Sequence, residues 1–123
     1  YTVFKSLYLL YTRFDIILQK GLIKMDKYLL NSTYIPLLIS AKSCLEKRDF
    51  YLANKKILSA IHACFDRPEA YNLLGICYEL QGKRKEAIKY FRISYFYDQS
   101  FVPASVNLQR IIENINKEID FGI

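Results

Sequence analysis

The sequence has no tryptophan, one histidine, one methionine, four glycines and three prolines among its 123 residues. So few turn formers exclude a many-stranded sandwich or barrel, whose hairpins draw on Gly and Pro. The lone His62 and the widely spaced Cys44, Cys64 and Cys77 form no CxxC pair and do not make the four close ligands of a structural zinc site. The cysteines read instead as small buried side chains in a reducing, cytoplasmic compartment. No stretch approaches the roughly 18 uninterrupted apolar residues of a membrane-spanning helix. Lys5, Arg13, Asp15 and Lys20 interrupt the first apolar stretch, which therefore lacks the order of a secretory leader. There is no Gly-rich phosphate loop and no H-E-x-x-H spacing, and His62 has no Ser or Asp arrangement beside it. These absences point away from an enzyme and from any cofactor.

What is present is the composition of a folding chain. Apolar residues make up 52% and charged residues 24%, which excludes global disorder. The length suits one compact domain, and an all-α fold is the default. Lys and Arg number 18 against 12 Asp and Glu, a net charge of +6. That balance favours acidic partners in general, nucleic acid and anionic membrane among them, beside its plain role in solubility.

Along the chain, Val3, Phe4, Leu7, Leu10, Tyr11, Phe14, Ile17, Leu18, Leu22 and Met25 recur at helical spacing, which predicts an amphipathic helix over 3–25. Residues 30–34 are a polar break in which Ser32 or Thr33 is placed to cap the next helix, with Pro36 in its first turn. From Tyr34 a second pattern repeats at a shift of 34 residues. Leu37, Ser40, Ala41, Cys44, Ala53, Ile57 and Ala60 stand against Tyr71, Leu74, Gly75, Tyr78, Ala87, Phe91 and Ser94. Each unit reads as two helices, over 35–47 and 50–64, then over 68–81 and 84–97. Asp66-Arg67-Pro68-Glu69 offers an Asp cap, a first-turn Pro and a Glu three residues after the cap, and Gly82 is a helix stop. A last helix is predicted from Val102 to Glu118, with Ala104, Leu108, Ile111 and Ile115 covering the preceding unit and Gln109, Arg110, Glu113 and Lys117 facing outward. The terminal Ile119–Ile123 is apolar for a chain end and suits burial on a neighbouring surface.

The run Ala70–Tyr78, with Gly82, Ala87, Phe91 and Asp98, resembles the tetratricopeptide repeat. Tyr71, Leu74, Gly75, Tyr78, Ala87, Phe91 and Ser94 occupy its slots, Gly75 and Ala87 letting the paired helices approach while Tyr78 and Phe91 fill the space beside them. The first unit departs from the pattern, with Leu37, Ala41 and Cys44 at three of these slots and Arg48 where the second has Gly82. The implied architecture is an all-α helix-hairpin array: an N-terminal helix and linker over 1–33, repeats over 34–67 and 68–101, and a capping helix over 102–118. The resemblance implies a non-catalytic protein-interaction scaffold whose first helices line a concave groove. Helical spacing then puts Leu38, Lys42, Asn72, Ile76, Glu79, Asn107 and Arg110 on that groove. Asn72 and Asn107 suit a peptide backbone, and Lys42 and Arg110 an acidic group, in an apolar or amphipathic peptide or helix. Two alternatives stand beside this. The basic run Lys83, Arg84, Lys85, Lys89 and Arg92, beside Tyr90, Phe91, Tyr95, Phe96 and Tyr97, suits nucleic-acid phosphates. The N-terminal helix suits packing on the first repeat, pairing with its copy in a dimer, lying on a membrane surface, or filling the groove of a structural subunit.

Overall fold

The computed structural model describes residues 30–123, all of whose regular structure is helical. The helix expected over 3–25 lies outside them. A π-helical turn at Leu30–Tyr34 leads into α1 (Ile35–Glu46), followed by α2 (Phe50–Ala63), α3 (Pro68–Leu80), α4 (Arg84–Tyr97) and α5 (Val102–Glu113). The four helices predicted between residues 35 and 97 therefore form within a residue of their expected ends. None of the described helices is long and apolar enough to cross a membrane.

Each helix packs on the next, and α3 also touches α1 and α5. Its position explains its composition. It buries Ala70, Asn72, Leu73, Leu74, Gly75, Ile76 and Cys77, residues spread around the whole helix rather than along one stripe, because it has neighbours on every side. Ala41, Ala53, Ile57, Ala60, Ala87 and Phe91 complete a continuous core. The closest approach is between α3 and α4, where a Cβ added at Gly75 would lie 2.5 Å from Cε1 of the fully buried Phe91 ring. Stacked pairs flank that contact, Tyr71 on Tyr97 with ring centroids 5.1 Å apart and Tyr78 on Tyr90 at 5.3 Å.

The two turns share their hydrogen bonds at an offset of 34 residues. Asp49 N donates to Cys44 O at 2.9 Å and Lys83 N to Tyr78 O at 2.9 Å, while Arg48 N donates to Leu45 O and Gly82 N to Glu79 O. Both turns reverse the chain through a left-handed residue, Arg48 at φ 58° and Gly82 at φ 77°. Arg48 thus adopts the geometry that glycine adopts without steric cost.

Three expectations are corrected here. Neither Ser32 nor Thr33 caps α1, whose start makes no side-chain cap bond; the π-helical turn runs directly into it. Asp66 does not cap α3. Its place is taken by Tyr34, fully buried, whose hydroxyl accepts from Ala70 N in the first turn of α3 at 3.1 Å and donates to Glu69 Oε2 at 3.1 Å. The same turn is tied to α4 by Ser94 Oγ, which donates to Pro68 O at 2.7 Å. Finally, α5 ends at Glu113 rather than Glu118. Asn114 takes a left-handed conformation (φ 52°, ψ 43°), and Ile115–Ile123 return as a non-helical segment.

Candidate functional site

Helices α3 and α5 contribute Asn72, Glu79, Asn107 and Arg110 to a single polar cluster, and α1 sets Lys42 over the ring of Phe121. Residue spacing explains the gathering. Asn72 and Glu79 lie seven residues apart, two turns of α3, while Asn107 and Arg110 are one turn apart on α5. At the centre, Asn107 Nδ2 donates to Asn72 Oδ1 at 2.8 Å, and both side chains are fully buried. Beside them Arg110 grips Glu79 with two guanidinium nitrogens on two carboxylate oxygens, and its Nη2 also reaches Asn107 Oδ1 at 3.4 Å. The forked geometry fixes both partners in orientation.

The cluster is occupied by the segment that follows α5. Asp120 O accepts from Asn107 Nδ2 at 2.7 Å and from Asn72 Nδ2 at 3.1 Å; Phe121 O accepts from Asn72 Nδ2 at 3.3 Å. In return Asp120 N donates to Asn107 Oδ1 at 3.0 Å. The two amides thus read main-chain atoms, donor and acceptor together, as a neighbouring strand would. Lys42 Nζ stands 5.3 Å from the centroid of the Phe121 ring, within cation–π range. Ile119 and Phe121 pack on the core, and Gly122 N donates to Asp120 Oδ1 at 3.0 Å.

Of the seven residues predicted to line the groove, Asn72 and Asn107 bond main-chain atoms of the chain's own residues 120 and 121. Arg110 is 9% exposed, not outward-facing, and its acidic partner is Glu79. Lys42 meets an aromatic ring, together with a loose i,i+4 contact to Glu46 at 3.9 Å. Leu38 and Ile76 are closed within the core and offer no surface to a ligand, because the helices that flank α3 cover them. Two participants escaped the sequence reading of the site, Asp120 and Phe121. Their only signal was the apolar character of Ile119–Ile123.

The other candidate surface is differently built. Lys83 lies over the Tyr78 ring and Lys89 over the Tyr90 ring, with Nζ 5.8 and 5.4 Å from the centroids. Arg84 Nη2 donates to Ile111 O at 3.4 Å, and Phe91 is buried, so part of the basic run braces its own fold. Among the described residues no group of three His, Cys, Asp or Glu is placed to hold a metal ion. Cys44, Cys64 and Cys77 are all buried, and burial pushes the Cys77 thiol above its ordinary value. Comparison of the chain with protein-family models, curated proteins and solved structures finds no match.

Proposed function

We propose that this chain is a non-catalytic interaction module of the tetratricopeptide type, which captures an extended peptide on the face formed by α1, α3 and α5. The observation that carries this reading is the amide pair: Asn72 and Asn107, both buried, present donors and an acceptor that engage main-chain atoms of a non-helical segment. Recognition of the main chain suits a module that accepts peptides, with neighbouring side chains setting specificity. The turns recurring at 34 residues and the Gly75 approach to Phe91 support the repeat architecture.

The test is selection from a random peptide library against the full chain, followed by titration of the enriched peptides against Lys42→Glu and Asn72→Ala variants of retained helicity. Enriched peptides that lose affinity for both variants support the proposal. Enriched peptides whose binding is indifferent to both substitutions refute it, as does absence of enrichment against a chain whose Ile119–Ile123 segment no longer occupies the face. Binding of nucleic acid that falls steeply with salt and depends on Lys83, Arg84 and Lys89 would instead establish the basic surface as the functional one.

A further inference from the structure

We propose that Ile119–Ile123 is an internal competitor: it closes the recognition face as a ligand held in cis, and the peptide accepted in trans carries the same order of apolar, acidic, aromatic and glycine residues. The inference rests on the peptide-binding reading above and adds both the chemistry of the ligand and the device that controls access to it.

The contacts divide into two kinds. Those of Asn72 and Asn107 fall on Asp120 N, Asp120 O and Phe121 O, atoms that any extended peptide possesses. A strand in trans can therefore satisfy the same amides, and the two side chains lose no partner in the exchange. The remaining contacts depend on residue type. Ile119 and Phe121 bury apolar surface against the core, and the Phe121 ring sits before the Lys42 ammonium. The Asp120 carboxylate accepts the Gly122 amide and bends the chain. Gly122 itself stands at φ 73°, and a Cβ there would come within 2.6 Å of Phe101 Cζ and 3.2 Å of Pro103 Cβ. The seat thus admits glycine, in a conformation other residues rarely adopt.

The tether is built for release. Asn116, Lys117 and Glu118 are exposed and lie outside any helix, so departure of the segment unwinds no helical turn. A short flexible tether holds its ligand at an effective concentration on the order of millimolar. A trans peptide of micromolar intrinsic affinity then meets a face that is mostly filled, and its apparent affinity falls by the fraction of face left open.

The test uses a fluorescent peptide of residues 117–123, Lys-Glu-Ile-Asp-Phe-Gly-Ile, titrated against the full chain and its Gly122→Val variant, which cannot seat its own segment. The expected result is binding at least about tenfold tighter to the variant, abolished when the peptide carries alanine for its phenylalanine. Amide exchange at Asp120, protected in the natural chain, should become fast in the variant. A second variant with a protease site replacing Asn116–Glu118, cut after folding, gives the same comparison if Gly122→Val disturbs α5. Equal binding of the peptide to closed and opened chains overturns the proposal, as does its failure to bind either opened chain. If the opened chains capture library-selected peptides but not this one, only the internal-ligand inference falls. If they capture no peptide at all, the peptide-binding reading falls with it.

Discussion

Replacing Gly75 with alanine tests the packing that joins α3 to α4. The added Cβ would sit 2.5, 2.6 and 3.0 Å from Cε1, Cδ1 and Cζ of Phe91, against about 3.5–4.0 Å for carbon atoms in ordinary contact. Phe91 is fully buried, so its ring has no free volume to retreat into. Either the helices part by about 1 Å or the ring leaves its rotamer, and overpacking of this kind costs about 1–3 kcal/mol. Alanine returns about 0.8–1 kcal/mol through its higher helix propensity. The net expectation is a loss of up to about 2 kcal/mol, or a Tm lowered by up to roughly 10 °C for a domain of this size. Urea denaturation followed by circular dichroism measures it. Phe91→Leu, which removes the ring, should by itself destabilise, and the double variant should be more stable than the sum of the single effects by about 1 kcal/mol or more. Strict additivity in the cycle would refute the close approach as the reason for glycine at this position.

Further expectations concern the turns, the ion pair and the buried tyrosine. Arg48→Gly should stabilise by about 0.5–1 kcal/mol in urea melts, since it relieves a left-handed non-glycine residue, whereas Gly82→Ala should destabilise by about 1 kcal/mol. Arg110→Ala, which strands the mostly buried Glu79 carboxylate, should cost about 2 kcal/mol; Arg110→Met combined with Glu79→Leu should recover most of it, and a double variant as unstable as the single one would contradict this. Tyr34→Phe leaves the buried Ala70 N–H without its acceptor and should cost about 1–2 kcal/mol at neutral pH. Burial, reinforced by Glu69, raises the Tyr34 hydroxyl above its ordinary value, and burial likewise pushes Tyr71 up to about 12. Both favour the protonated form in the folded state, so their stabilisation is complete below the unfolded value of about 10 and is lost as pH rises beyond it, by about 1.4 kcal/mol per pH unit for each. Melting temperatures from about pH 9 to 11 should therefore decline less steeply for Tyr34→Phe than for the natural chain; parallel declines would remove Tyr34 from the account.

Local pattern determined a good deal. Apolar spacing placed α1 to α4 within a residue of their ends, since the 3.6-residue period, a first-turn Pro36 or Pro68 and the stop at Gly82 are all written in neighbouring residues. Helical spacing puts Lys42, Asn72, Glu79, Asn107 and Arg110 on the expected groove together with Leu38 and Ile76, and the last two are fully buried instead. Packing alone decided the rest. The cap of α3 comes from Tyr34, 36 residues before the amide it satisfies, and no local signature distinguishes that from a cap by Asp66. Ile115 and Ile119 continue the apolar spacing of α5, so the pattern extends the helix to Glu118. Ile119 serves equally by packing on the core from a returning non-helical segment, and Asn114 takes the left-handed turn that permits it. The segment then meets Asn72 across 48 and 49 residues of sequence. Whether a buried amide pair is left to water or filled by residues 120 and 121 of the same chain depends on which arrangement satisfies the most polar atoms and covers the most apolar surface, a comparison made only once all the helices are in place.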